Sequence, residues 1–167
     1  MSAERFMPVT LDGEELKLKG GFYKVTDFMG TTKRLLGLYL ETPDGECYED
    51  LSRSFGEFVA ELGCFFANVN GCLPDTNVET FLTDNLIAIP SGGFKQSTFC
   101  RYPAYRISPH VMEKLFTMQE IEEYFRDFDF QDVADEMAAK DPDWVKHALE
   151  KNKDSFDAFI ADMRGAS

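Results

Sequence analysis

The residues that most often carry catalysis or hold metals are scarce in this chain of 167 residues. It has two histidines, His110 and His147, and four cysteines, none of which form a Cys-x-x-Cys pair. Neither histidine lies in a recognisable Ser/His/Asp or Cys/His context, and the cysteine spacings match no zinc module. The phosphate-binding patterns G-x-x-x-x-G-K-[ST] and G-x-G-x-x-G are also missing. The sequence therefore predicts no catalytic residues, no cofactor and no metal.

Long apolar runs and basic residues are scarce as well. No run approaches the ~18 residues needed to span a membrane, and the N-terminal Met1-Ser-Ala-Glu-Arg5 does not lead into the apolar stretch of a secretory signal. We therefore expect a cytoplasmic protein with reduced thiols and no membrane partner. Acidic residues outnumber basic ones by 30 to 17, so the net charge is −13. This charge opposes binding of the whole protein to nucleic acid and favours partners with basic surfaces, although it is also an ordinary aid to solubility.

Phenylalanine is abundant, and the chain changes character near residue 116. Sixteen Phe and a hydrophobic content of 44% are enough for a real core. Residues 1–116 are rich in Gly, Pro and Thr and carry a net charge of −5. Residues 117–167 carry −8 and contain only Pro142 and Gly165 as turn formers. We therefore divide the chain into an α+β core domain, 1–116, and an acidic helical C-terminal region, 117–167.

The first region reads as short strands with one short helix. Gly20-Gly21 has the pattern of a two-residue hairpin turn, Thr42–Gly45 that of a type I turn, and Pro103 indicates an edge strand or a bulge. A helix is expected over Thr76–Thr83, with Thr76 as N-cap. The predicted strands are Leu16–Lys19, Phe22–Thr26, Leu35–Glu41, Glu46–Asp50, Gly63–Val69, Leu86–Ile89 and Thr98–Ile107.

The second region reads as helices. Thr117-Met-Gln-Glu120 has the S/T-x-x-E pattern of a capping box, and a second helix is expected from about Asp129. Asp141-Pro142 places Asp at N-cap and Pro at N1 of a third helix, and Asp154 could cap a last one. The predicted fold class is α+β: an antiparallel sheet with a short helix, followed by a helical C-terminal region that packs on the sheet or forms an appendage.

Carboxylates are concentrated along the first two of these helices. Counted as an EF-hand from Asp127, the segment lacks the glycine at position 6 and the glutamate at position 12, so a calcium loop is not expected. We interpret the carboxylates as an acidic surface for a partner, defined by Glu120, Glu122, Glu123, Asp127, Asp129, Asp132, Asp135 and Glu136.

A basic and aromatic segment, residues 94–106, stands apart in this acidic chain. It has a net charge of +3 and interleaves cations with aromatic rings. Together with Ser91-Gly92-Gly93 it could hold a phosphate or a nucleic-acid strand. The alternative is a core strand in which Phe99 and Tyr105 are buried. The candidate anion-binding residues are Lys95, Arg101, Tyr102, Tyr105 and Arg106.

The central block also carries a resemblance. Val78–Ile107, with Pro90-Ser-Gly92 and Phe99-Cys-Arg-Tyr-Pro-Ala-Tyr-Arg106, resembles a small domain of unknown function found in plasmids, conjugative elements and prophages of gut-type anaerobic bacteria. The likeness extends more loosely back to Lys17 and leaves out the helical region. It implies mobile-element biology as a setting and does not imply a chemistry.

These observations lead to one leading hypothesis and one alternative. The leading hypothesis is a non-enzymatic, acidic interaction protein of a mobile genetic element. Its concrete form is an anti-defence inhibitor, of anti-CRISPR or antirestriction type, that binds a basic nucleic-acid-handling partner protein. The alternative is a small nucleic-acid-binding accessory protein that uses segment 94–106.

Overall fold

The computed structural model describes residues 5–11, 13–26, 30, 32–53, 63–69, 77–97, 100–128 and 131–165. Within these ranges the chain forms antiparallel sheets and helices, which is the α+β class expected from the sequence. The elements are β1 (Met7–Leu11), β2 (Glu14–Thr26), β3 (Thr32–Glu41), β4 (Cys47–Asp50), β5 (Ser52–Arg53), β6 (Cys64–Ala67), α1 (Val78–Asp84), β7 (Ala88–Ser97), β8 (Cys100–Ile107), α2 (Pro109–Leu115), α3 (Met118–Phe128), α4 (Gln131–Lys140) and α5 (Trp144–Gly165).

The first sheet, sheet A, is a meander of strand order β1-β2-β3-β4. Alternate residues of its strands point to opposite faces. Leu18, Leu38 and Leu40 lie on the inner face and are almost fully buried. The β3–β4 turn forms at Thr42–Gly45 as expected, where the Gly45 N–H donates to the Thr42 carbonyl at 2.9 Å.

The prediction of a hairpin turn at Gly20-Gly21 is wrong, because β2 runs through both glycines without a break. Glycine is needed at both positions because aromatic side chains lie directly against the strand there. A Cβ on Gly20 would lie 2.7 Å from Cζ of Phe116, and one on Gly21 would lie 3.2 Å from the Tyr23 ring. Aromatic rings therefore cover the strand at this point, one of them on each face.

The second sheet, sheet B, has the strand order β5-β6-β8-β7. Because β8 pairs with β6 on one side and β7 on the other, the expectation that Pro103 marks an edge strand is wrong. The expectation of a bulge is correct. Pro90 pairs with Tyr105 and Phe94 with Pro103, so β7 carries extra residues opposite Ala104.

The helical region begins as its capping pattern predicts. The Thr117 N–H donates to Glu120 Oε1 at 2.9 Å, and the Glu120 N–H donates to Thr117 Oγ1 at 3.1 Å. Asp141 caps the start of α5, since its Oδ1 accepts the Asp143 N–H at 3.1 Å. The separate helix predicted from Asp154 does not exist, because α5 is continuous over Trp144–Gly165.

The N-cap of helix α1 lies one residue later than expected. Asn77 is its N-cap, with Oδ1 accepting the Glu79 N–H at 2.7 Å. Thr76, the expected cap, lies outside the described residues. Two residues after the helix ends at Asp84, Leu86 has φ 55°, a left-handed conformation in which glycine is more usual.

One hydrophobic cluster joins the two sheets to the helices. It includes Leu40 of sheet A, Phe65 of sheet B, and Tyr124, Trp144 and Leu149 of the helical region. The core therefore extends across residue 116, and the middle of α3 and the N-terminal half of α5 are anchored in it.

Candidate interaction surfaces

Helix α3 presents the first part of the acidic surface because its other face is buried. Ile121 and Tyr124 are fully buried and Phe125 is nearly so. The opposite face carries glutamates, with Glu120 and Glu123 exposed and Glu122 half-buried, beside the exposed Met118 and Gln119. Between residues 120 and 136 eight carboxylates accompany a single basic residue, Arg126. The surface is therefore a dense acidic stretch held on a helix that the core fixes.

Several of these carboxylates already have a role within the chain. Glu120 closes the capping box. Glu123 Oε2 lies 3.4 Å from Nη1 of Arg34 on β3, and Glu136 Oε1 lies 3.6 Å from Nζ of Lys140. These contacts are exposed or only partly buried, so they stabilise the fold weakly and leave the carboxylates accessible to a partner.

The backbone places three more of these carboxylates on α3 and α4. Asp127 belongs to α3, and Asp132 and Asp135 belong to α4, where Asp135 and Glu136 follow Asp132 at helical i+3 and i+4 spacing. Asp129 and the side chains of the three other aspartates lie outside the described residues.

The basic and aromatic segment does not form one surface. Lys95 pairs with Tyr102, and Arg106 lies an even number of residues from Tyr102, so all three share one face of sheet B. Arg101 projects from the opposite face. There its guanidinium carbon lies 3.6 Å from the centroid of the Phe94 ring, which is 50% exposed. The three cations are thus divided between the two faces.

The tyrosines of this segment are structural. Use of Tyr102 for anion binding requires an exposed ring, but Tyr102 is 2% exposed and its hydroxyl accepts a 2.8 Å hydrogen bond from Nη1 of Arg53. Tyr105 is 4% exposed and donates to Glu79 Oε1 at 2.7 Å. Burial, and then the bond to Glu79, raises the pKa of the Tyr105 hydroxyl. Neither ring can stack on a nucleobase. Burial of Tyr105 agrees with the core-strand alternative, whereas Phe99 lies outside the described residues.

The glycine-containing loop considered for anions is the bulge of β7. The Ser91 hydroxyl donates to the Ala104 carbonyl at 3.1 Å, and Gly92 has φ 95°. The serine is thus engaged with the neighbouring strand, and the glycine permits the turn of the backbone. Sequence reasoning missed Arg53, which lies 49 residues from the tyrosine it binds. No local pattern signals a contact over that separation.

The two histidines each pair with an aspartate on the surface. His110 Nε2 lies 3.0 Å from Asp157 Oδ1, and His147 Nδ1 lies 2.5 Å from Asp141 Oδ2. In the parts of the chain that the structure describes, no group of three or more His, Cys, Asp or Glu side chains could hold a metal ion. None of the helices there is long and apolar enough to cross a membrane.

Comparison of the chain with protein-family models, with curated proteins and with solved structures gives no match. The resemblance of Val78–Ile107 to mobile-element domains therefore stays a prediction, and the argument for function depends on the surfaces themselves.

Proposed function

We propose that this protein acts by binding another protein, one whose basic surface handles nucleic acid, through the acidic surface on α3 and α4. Its setting is a mobile genetic element, and its effect is to inhibit a host defence complex of CRISPR or restriction type. The anchoring of α3 carries this proposal. Ile121, Tyr124 and Phe125 hold the helix in the core, while three glutamates, Glu120, Glu122 and Glu123, lie outside this buried face.

The density and placement of charge make such a surface suited to a nucleic-acid-binding groove. The stretch 120–136 has a net charge of −7, more than half of the −13 of the whole chain. The glutamates of α3 lie on a helix that the core fixes, so this part of the surface meets a basic groove without being ordered first and less entropy is lost on binding. Complementary charge also accelerates encounter and disfavours partners of the same sign.

The nucleic-acid-binding alternative is left with less support. Among its candidate residues Tyr102 and Tyr105 are buried, and the cations lie on two faces of sheet B. The exposed Arg101–Phe94 pair is the feature that still favours it.

The test is the rate of association with basic defence proteins at low and high salt. Purified CRISPR effector complexes and restriction endonucleases of anaerobic bacteria serve as partners, with double-stranded DNA as competitor. The variant carries Glu122→Gln, Glu123→Gln, Asp127→Asn and Asp135→Asn. The control carries Glu14→Gln, Glu15→Gln, Asp44→Asn and Asp84→Asn, which change the net charge equally at exposed positions elsewhere.

We expect the wild type to bind at least one partner in competition with DNA. The acidic-surface variant should associate about tenfold more slowly at low salt, with a smaller difference at high salt, and the control should resemble the wild type. Equal slowing of both variants would show that overall charge alone matters. Unchanged association of the acidic-surface variant would refute the proposal.

A further inference from the structure

A groove of about 530 Å³ lies between α2 and the C-terminal half of α5, bordered by β1 and by the turn that follows α1. Its floor is apolar, formed in part by Val111 and Phe156, which are 4% and 5% exposed, and by the half-buried Ile160. The volume lies within the range of sites for small organic ligands. The groove shares no lining residue with either surface described above.

The charges around this groove are opposite in sign to those of the molecule as a whole. Lys114 and Arg164 line it together with His110, and Asp157 is its single acidic lining residue. Asp157 is already paired with His110. Lys114 has no ion-pair partner among the residues described. A locally cationic groove on a chain of net charge −13 favours an anionic ligand.

A buried hydroxyl also borders the groove. Ser108 is 1% exposed and stands alone as a buried polar residue in the described parts of the chain. It occupies the N-cap position of α2, where a serine oxygen normally accepts a backbone N–H, yet its side chain makes no such bond. Ser108 thus places a polar group at the border of the groove.

We propose that the groove binds a small amphipathic anion, namely a carboxylate at the end of an aliphatic chain. The ammonium of Lys114 and the guanidinium of Arg164 hold the carboxylate through charge-assisted hydrogen bonds. The chain lies along the floor and removes apolar surface from water. This site is independent of the acidic surface and of the function proposed for it.

Calorimetric titration with octanoate tests the proposal, with octanol and octylamine as neutral and cationic analogues. The first variant, Lys114→Met/Arg164→Met, removes both cations and keeps long side chains. Its matched control, Lys146→Met/Lys151→Met, removes two exposed cations of α5 outside the groove. The second variant, Ala161→Phe, fills the groove without altering charge. Melting temperatures establish that each variant is folded.

We expect octanoate to bind the wild type and the control with similar affinity. Its affinity for Lys114→Met/Arg164→Met should be lower by about tenfold or more, and Ala161→Phe should not bind it. The analogues should bind more weakly than octanoate. Failure of octanoate to bind the wild type, binding of octanol as tight as that of octanoate, or equal loss in the control would each overturn the proposal. None of these results bears on association with a basic protein.

Discussion

At the scale of single residues, buried tyrosines connect distant parts of the chain. Tyr102 accepts from Arg53, Tyr105 donates to Glu79, and the Tyr124 hydroxyl accepts the Gly63 N–H at 2.9 Å. Burial raises the pKa of the Tyr124 hydroxyl despite the opposing effect of the Gly63 bond. Each ring supplies apolar contact while its hydroxyl satisfies a partner, which is the usual arrangement for a buried tyrosine. These three tyrosines therefore stabilise the fold.

This role predicts that Tyr102 and Arg101, although adjacent, respond differently to substitution. Tyr102→Ala should lower the free energy of unfolding by ~3–5 kcal/mol, because it empties a buried site and leaves Arg53 without this acceptor. Arg101 is the exposed neighbour of Tyr102, so Arg101→Ala should change the free energy of unfolding by less than ~0.5 kcal/mol. Urea denaturation measures both. Gel shifts with single-stranded DNA and RNA at low salt then test Arg101 alone. Tight wild-type binding that Arg101→Ala abolishes would support the nucleic-acid alternative.

Single glycines show where sequence reasoning stops. Gly20-Gly21 has the composition of a turn, but the glycines accommodate Phe116 and Tyr23. Gly37 behaves similarly, because a Cβ there would collide with the Tyr23 ring. Phe116 lies about a hundred residues from Gly20 in the sequence, so no local pattern could indicate its ring. By contrast, Gly45 was predictable, because its turn is made by neighbours along the chain.

At the scale of elements, local hydrogen bonds could be predicted and helix length could not. The reciprocal bonds of Thr117 and Glu120 follow from a four-residue pattern. The length of α5 depends instead on its burial. Leu149 and Phe156, seven residues apart, occupy the same buried stripe, so the helix continues past Asp154. Likewise the exposure of Glu120 and Glu123 could be predicted from helical spacing, whereas the groove between α2 and α5 required the fold.

The start of α5 carries a prediction about pH. Asp141 caps the helix and pairs with His147. The hydrogen bond to Asp141 and its charge raise the pKa of His147, and the same bond lowers the pKa of Asp141. The stability from His147 is therefore present below its unfolded pKa and is lost as pH rises through the raised value. The stability from Asp141 is present above its unfolded pKa and is lost as pH falls through the lowered one.

The pair should consequently stabilise the protein most at about pH 5, between the unfolded pKa values of the two groups. The difference in melting temperature between wild type and Asp141→Asn, which can still cap but carries no charge, should be largest there. It should shrink towards pH 3 and pH 9. Lys151→Gln, which removes an exposed charge of the same helix, is the control. A difference that does not vary with pH would show that Asp141 acts only as a cap.

At the scale of the whole molecule, the question is whether residues 1–116 and 117–167 behave as separate units. The Phe22 ring of β2 stacks against Phe116 and against Tyr124 of α3, with ring centroids 4.1 and 4.3 Å apart. Phe125 and Trp144 continue this aromatic contact into α5 at 6.2 Å. Since the core cluster includes residues of both regions, folding of either one buries surface of the other. The change in composition near residue 116 thus falls within a core that residues of both regions share.

A shared core predicts a single cooperative unfolding transition that both regions report. Trp144 is the only tryptophan and is 7% exposed, so its fluorescence follows the helical region, while amide infrared absorption of the β-structure follows the sheets. The two melting curves should coincide in the wild type. Phe22→Ala should lower the melting temperature in both curves together, although the substitution lies in sheet A. If Phe22 behaves as a core phenylalanine, the free energy of unfolding falls by ~3–5 kcal/mol. Tyr23→Ala, at the exposed neighbouring position, should lower both melting temperatures less.

A chain ending at Phe116 should lack a cooperative transition, because it leaves the inner face of sheet A exposed to water. Two separate transitions in the wild type, together with a folded 1–116 fragment, would instead establish two independent domains.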